Sequence, residues 1–385
     1  MSCCSLLSIV LYWNLCLELP LWSIPYIVMS CYHPLVGIPD YDPITNKPYL
    51  TKNGKTKYRI IKTENYDRES LLKFEDMILI PCGKCIGCRL EYSRQWANRL
   101  MLELQYHDSA YFVTLTYNSG HVPKAYYADP ETGEAKESLT LCKRDVQLFI
   151  KRLRKAFPND HIRYYYCGEY GTQTFRPHYH MIIFGLHLTD GYPWRWNRED
   201  GRNFVYYRSP SLERCWSKKC EESTTPLTQM SKVGNLYEPI GNVEYSEVTW
   251  DTCAYTARYV TKKLNGPEGE FYKTFNLVSP FSDMSRKPGI GRQYYEDHPD
   301  MLDSEYVNIS TDRGGRKFRP PRYYEKIFEL DHPDEAEQRK DVRKAMAKAA
   351  LALKLDQTDR PYSEILATSE DIKEKRTKIL KRSGI

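Results

Sequence analysis

Cysteine is too scarce to hold this chain together. Twelve in 385 residues, unevenly placed, exclude the disulfide scaffold of a small secreted domain and fit a reducing compartment. Positive charge is missing from the first 28 residues, which contain neither Lys nor Arg. The same apolar stretch carries Glu18 and is broken by Pro20 and Pro25, so it makes a poor signal peptide and a poor membrane span. Two readings of residues 1–28 stay open: an anchor, or a non-native leader upstream of a start at Met29, where "MSCYHPL" opens ordinary polar sequence. The second is adopted, and no stable membrane association is expected. No internal repeat is visible, which excludes solenoids and arrays.

What is present is the make-up of a soluble globular chain, 41% hydrophobic and 28% charged. The net charge is only +6, but the basic residues are bunched, and 32 tyrosines outnumber 12 phenylalanines. That balance suggests wet aromatic surfaces that can stack on bases, so nucleic acid is the first partner to consider.

Residues 29–80 read as an irregular segment with one short strand, "KYRIIK". Leu90, Trp96, Ala97, Leu100, Met101 and Leu104 then recur at helical spacing with Arg89, Arg94 and Arg99 off the stripe, predicting a helix with a basic side. "YFVTLTY", Tyr111 to Tyr117, predicts a central strand with Thr114 and Thr116 on one face. Val146, Phe149, Ile150, Leu153 and Phe157 mark a second helix, stopped by Pro158. "HIRYYYCGEYG" and "HYHMIIFG" flank a short turn and predict an antiparallel hairpin. Residues 187–240 read as a loop-rich insertion. "NVEYSEVTW" predicts a strand, and "DTCAYTARYVTKKLNG" a helix capped by Asp251 or Thr252. Residues 326–385 read as a charged helical tail. The class is therefore α+β, an antiparallel central sheet flanked by helices, in a main domain over 81–325.

Four groups of residues could carry chemistry. His178 and His180 are two apart, so on a strand both imidazoles face one side while Tyr179 faces the other. Glu169 on the partner strand would add a carboxylate; such a set suits Mg²⁺ or Mn²⁺, and a catalytic Zn²⁺ hydrolase could use the same three. On the helix "CAYTARYVTKKL", Cys253, Ala257, Val260 and Leu264 form one stripe, while Tyr255 and Tyr259 fall opposite, one turn apart, with Lys262 and Lys263 beside them. A tyrosine hydroxyl is too weak an acid to attack unaided, but could attack a metal-polarised phosphodiester with a lysine neutralising charge. Cys82, Cys85 and Cys88 form CxxCxxC before a helix, a spacing suited to structural zinc, with Cys31, His33 or a more distant residue as fourth ligand; reduced cysteines in a glycine turn are the plain alternative. Arg313, Arg316, Lys317, Arg319 and Arg322 surround Phe318, Tyr323 and Tyr324, guanidinium groups for phosphates and rings for bases, unless they are simply a solvated face.

In order, "FVTLTY", "RPHYH" and "YTARYVTKK" resemble the three motifs of rolling-circle replication initiators, the endonucleases named for their His-hydrophobe-His motif. "PCGKCIGCRLEYSRQWANRL" and "MSRKPGIG" are similar to the replication initiation protein of gokushoviruses, small circular single-stranded DNA phages of the Microviridae, over about Met29 to Tyr324. The resemblance implies a ferredoxin-like core with the histidines on a central strand and the tyrosines on a neighbouring helix. It implies that His178, His180 and Glu169 hold the metal, that Tyr259 and Tyr255 cleave the origin, keeping the 5′ end as a phosphotyrosine and freeing a 3′-OH primer, and that Lys262 or Lys263 assists. It further implies phage single-stranded and replicative-form DNA, host polymerase and helicase as partners, in the host bacterial cytoplasm. Tyr179 stands where many relatives have an aliphatic residue. Two other classes compete: a non-catalytic single-strand-binding module with structural histidines, and a zinc-dependent hydrolase that attacks with metal-bound hydroxide.

Overall fold

A computed structural model of the chain describes residues 31–382 apart from 53, 55, 63–76, 172, 200–201, 221–235, 261–268 and 312–313. The apolar leader lies outside the described residues. The chain divides into two compact units, Met1–Cys82 with His332–Glu370, and Gly83–Asp331 with Asp371–Ile385.

In the first unit, β1 (Leu35–Pro39) lies between β2 (Tyr58–Lys62) and β3 (Ile78–Ile80), antiparallel to both. The stretch expected to be irregular thus contains a three-stranded sheet. Val36 and Ile38 of β1 are buried with Leu351, Leu355, Tyr362 and Leu366, supplied by the helices Pro333–Asp356 and Tyr362–Arg382 of the tail. A five-residue strand offers only two or three side chains to a core, so its apolar partners come from far along the chain.

The second unit runs α1 (Ile86–Leu104), β4 (Ala110–Thr116), the hairpin β5 (Lys124–Ala128) and β6 (Ala135–Leu139), α2 (Lys143–Ala156), β7 (Arg163–Tyr170) and β8 (Pro177–Phe184). It continues with β9 (Tyr192–Glu199), β10 (Arg202–Arg208), α3 (Pro210–Cys215), β11 (Ser217–Cys220), β12 (Leu236–Pro239), β13 (Val243–Glu247) and α4 (Trp250–Val260). It closes with α5 (Glu270–Thr274), β14 (Phe281–Met284), α6 (Arg292–Asp297), β15 (Val307–Thr311), β16 (Gly314–Phe318) and α7 (Arg322–Asp331).

Seven strands form one antiparallel sheet in the order β14-β7-β8-β4-β13-β10-β9, with the strand read as central, β4, in the middle. Residues 187–240, read as loop-rich, hold β9 and β10 of this sheet as well as the separate pair β11 and β12.

Alternation sorts the sheet's two faces. Val113 and Leu115 of β4, Tyr179, Met181 and Ile183 of β8, and Val243 and Tyr245 of β13 share one core with Val146, Phe149, Ile150 and Leu153 of α2. Each of those helix side chains contributes about 1.5–3 kcal/mol by leaving water. Asp145 in the first turn of α2 and Arg154 and Lys155 in its last complement the helix dipole.

Helices α1 and α4 take the opposite face. They are joined by Ser93 Oγ donating to the Ala254 carbonyl at 2.6 Å and Trp250 Nε1 donating to Asn98 Oδ1 at 2.8 Å. Trp96 of α1 lies over Tyr165 of β7, ring centres 4.6 Å apart.

Arg99, expected on a solvated basic side, is buried. Its guanidinium sits between the rings of Trp96 (4.6 Å) and Tyr323 (3.4 Å), and Nε donates to the Ile290 carbonyl at 2.5 Å. Nearby Glu103, also buried, is held by Arg163 and by the Gly291 amide. Gly291 has φ +72°, and a Cβ there would meet the Tyr324 hydroxyl at 2.5 Å, so only glycine fits this turn.

Candidate active site

The hairpin of β7 and β8 sets Glu169 directly opposite His178, and Cys167 opposite His180. Directly opposed side chains on one face are neighbours, so the alternation that separates the histidines from Tyr179 also brings both to one carboxylate. His178 Nε2 is 2.9 Å and His180 Nε2 3.3 Å from Glu169 Oε1. One ligand atom from each of the three lies within 4.8 Å of the other two. Glu169 and His180 are buried, and His178 is half-buried. Burial alone would raise the Glu169 carboxyl's pKa, but hydrogen bonds with His178 and His180 hold it down to about 2.

The far ring nitrogens are also engaged. His178 Nδ1 is 3.1 Å from the Arg176 carbonyl, and His180 Nδ1 is 3.1 Å from Thr114 Oγ1. Anchoring at Nδ1 turns both Nε2 atoms toward Glu169, the orientation that metal-binding imidazoles take. His178 lies between two acceptors, a carbonyl at Nδ1 and a carboxylate at Nε2, and a neutral imidazole has only one N–H to give. A cation between Nε2 and Glu169 resolves that conflict. Adjacent ligands of an octahedral ion held at about 2.1 Å stand about 3 Å apart, close to both N···O distances. The donor set therefore fits a divalent cation with positions left open.

Tyr179 faces away, fully buried. Its hydroxyl accepts from the Cys142 amide at 2.7 Å, donates to the Cys142 carbonyl at 2.9 Å and lies 3.2 Å from that of Tyr117.

The tyrosine helix α4 packs on the same face as the histidines. Thr249 and Thr252 cap it reciprocally, the Thr252 amide donating to Thr249 Oγ1 at 3.2 Å and the Thr249 amide to Thr252 Oγ1 at 2.8 Å, so the cap starts at Thr249, ahead of the two candidates from sequence. Cys253 and Ala257 are buried, in line with the stripe. Tyr255 is half-buried, its ring edge-on to His180 at 5.1 Å and to Phe112 at 6.1 Å, while Phe112 stacks on His180 at 5.5 Å. Tyr259 lies one turn further along α4, with its side chain outside the described residues, as are Lys262 and Lys263.

Thr114 and Phe112 of β4 complete this surround, and sequence reasoning does not single them out as site residues. The signal is there: they alternate on the β4 face, and Thr114 pairs with His180.

Two other expectations divide. Within the first unit the Cys82 amide donates to Cys31 Sγ at 3.2 Å, while His33 bonds Glu370 at 2.6 Å, so Cys31 is the better partner for Cys82. Within the second, Cys85 caps α1, accepting from the Cys88 amide at 3.5 Å. Of the basic cluster, Arg313 lies outside the described residues. Arg316 stands over Trp250 of α4 at 4.2 Å and Lys317 over Tyr306 at 4.2 Å; both are exposed. Arg319 pairs with Glu305 at 2.6 Å, and Arg322 is exposed. The rings are a different matter. Phe318 and Tyr324 are buried and Tyr323 is covered by Arg99, so these three are packing residues, not a platform for bases.

No solved structure matches the chain. Residues 110–264 match the family model of the ORF2-type replication-associated proteins. The chain is 32% identical over 310 residues, 79% of its own length and 84% of the relative's, to the replication-associated protein ORF2 of Spiroplasma virus 4. It is 29% identical over 280 residues, 70% and 73% of the two chains, to the replication-associated protein VP4 of Bdellovibrio phage phiMH2K. It is 26% identical over 197 residues to the replication-associated protein ORF4 of Chlamydia phage 1, 48% of this chain and 38% of that one. With the hairpin, its metal-binding set and the tyrosine helix all inside the matched region, the chain belongs to the phage replication-associated proteins and is a replication initiator of the gokushovirus type.

Proposed function

We propose that this initiator nicks and rejoins DNA at the phage origin, with Glu169, His178 and His180 holding Mg²⁺ or Mn²⁺ and Tyr255 and Tyr259 as nucleophiles. The observation that carries the reading is Tyr255 edge-on to His180 at 5.1 Å: the helix that carries two tyrosines one turn apart is laid on the strand that carries the metal set.

When bound, the ion would polarise the scissile phosphodiester and offset charge on its oxygens. Thr114 and the Arg176 carbonyl orient the two imidazoles. A tyrosine gives up its phenolic proton and its oxygen bonds to phosphorus; the bond to the 3′ oxygen breaks, and that oxygen takes up a proton. The 5′ phosphate stays on tyrosine and the 3′-OH is free to prime. One phosphodiester is exchanged for another, so no external energy source is needed. The second tyrosine then cleaves the regenerated origin, and attack of the free 3′-OH on the first phosphotyrosine closes the circle. Lys262 and Lys263, just beyond α4, neutralise charge near the phosphate. Phage single-stranded and replicative-form DNA are the substrates, host polymerase and helicase the partners, and the host cytoplasm the place. A structural zinc on Cys31, Cys82, Cys85 and Cys88 is a separate part of the proposal, supported by the pairing of Cys31 with Cys82 and by the Cys85 turn.

The test is a labelled single-stranded oligonucleotide carrying the cognate origin, incubated with the full chain in Mn²⁺ or in EDTA. A covalent adduct is expected in Mn²⁺ alone, with the nucleotide on Tyr255 or Tyr259 by mass spectrometry. Cleavage that leaves no nucleotide on the protein would refute the tyrosine mechanism in favour of a hydrolase.

A further inference from the structure

The seven-stranded sheet ends in a ribbon that belongs to it only at its base. β10 meets β13 at the single register pair Tyr207 and Tyr245. β9 and β10, by contrast, pair with each other over their full length, from Tyr192 with Arg208 to Glu199 with Arg202. An isolated two-stranded ribbon is marginal in water and places large apolar side chains outside only at a cost. This one nevertheless exposes 47% of Trp194 and 65% of Trp196.

Arginines accompany the rings. The Arg208 guanidinium lies 3.9 Å over the Trp194 ring, and that of Arg195 lies 4.0 Å over Tyr206. The ribbon sequence "YPWRWNREDGRNFVYYR" carries four arginines against Glu199 and Asp200, a positive balance that complements phosphates. Exposed indoles beside guanidinium groups are the surface on which unpaired bases stack while the backbone meets positive charge.

The ribbon is also tied to the candidate metal centre along one sheet face. Arg195 donates to Glu244 Oε2 at 2.9 Å and 3.1 Å, Glu244 stands opposite Thr114, and Thr114 bonds His180. Four strand spacings separate β9 from β8, about 20 Å, a span of a few nucleotides.

We propose that the β9–β10 ribbon is a DNA-binding arm on which Trp194 and Trp196 stack with bases of the single strand whose backbone reaches Glu169, His178 and His180. This rests on the reading of the chain as a DNA-nicking enzyme and names where its substrate strand is gripped.

The test uses the full chain and a fluorescein-labelled oligothymidylate of about 20 nucleotides in EDTA, so that binding is read without chemistry. Trp194→Ala/Trp196→Ala is expected to weaken binding about 30-fold or more, two bases at the low end of base–aromatic stacking. Trp194→Phe/Trp196→Phe, which keeps rings in place, is expected to retain most of the affinity, and both variants should keep the wild-type circular dichroism. Alanine-variant binding within about twofold of wild type would overturn the arm. So would a phenylalanine variant as weak as the alanine one despite an unchanged spectrum. Loss of self-association in sedimentation with DNA binding unchanged would overturn it too, assigning the ribbon to a second copy. Tryptophan-dependent binding in a chain that never forms a covalent adduct would leave the arm standing and remove the nicking reading. A normal adduct rate at low DNA concentration in the alanine variant would do the reverse.

Discussion

The ring of Tyr255 stands edge-on to that of His180, at 5.1 Å and 72°, with Phe112 against both. A helix and two strands far apart in sequence thus converge on one imidazole. A tyrosine placed there meets whatever phosphate the metal set holds, which is the basis of the first prediction.

Tyr255→Phe/Tyr259→Phe should lower adduct formation with origin DNA at least about a thousandfold, as loss of a nucleophile does, while metal binding measured by calorimetry stays at the wild-type value. Covalent adduct persisting in the double variant would exclude both tyrosines.

Thr114→Val keeps the shape of the side chain and removes the oxygen at His180 Nδ1. Metal affinity should fall by about 10–100-fold, the usual cost of losing such an orienting bond, and nicking should recover as Mn²⁺ is raised. Wild-type affinity in Thr114→Val would mean that His180 is oriented by packing against Phe112 alone.

Glu103→Gln tests the buried network behind the sheet. Burial would raise the pKa of Glu103, but hydrogen bonds from His107, Arg163 and the Gly291 amide hold it below its ordinary value. A carboxyl with a depressed folded pKa contributes stability that is present above its unfolded value and is lost as pH falls through the folded one. Urea titrations should therefore show the variant less stable by about 3–5 kcal/mol near neutral pH, the cost of breaking a buried pair. The gap should hold down to about pH 4.5 and shrink below it. A gap that is constant to pH 3 would separate the stabilisation from the ionised carboxylate.

Purified chain should carry about one zinc ion, measured by atomic emission. Cys82→Ser should release it while leaving Mn²⁺ binding at the histidine set unchanged. Zinc lost from His178→Ala rather than from Cys82→Ser would move the zinc to the other site.

Much of this is legible in the sequence because the signal is local. The hairpin of β7 and β8 shows in its alternation, and Glu169 meets His178 because a short turn fixes the register. The stripe of Cys253 and Ala257 likewise places Tyr255 on the other side of its helix. What escapes depends on distant or absent partners. Arg99 reads as solvated until Tyr323 closes over it. Val36 and Ile38 read as loop until the tail helices cover them. β9 and β10 carry Trp and Arg where a half-buried strand would alternate apolar and polar, because most of their length has no core to face, and so the ribbon reads as loop.

The separation of Tyr179 from its two histidine neighbours has one more consequence. If β8 slid by one residue against β7, Tyr179 would turn toward Glu169 and both imidazoles would enter the α2 core. The carboxylate would then have no nitrogen beside it, and the cation no cage. Metal affinity therefore doubles as a check on strand pairing: only a correctly zipped sheet can load the ion, so misfolded copies are kept from cutting DNA by the same geometry that would arm the folded ones.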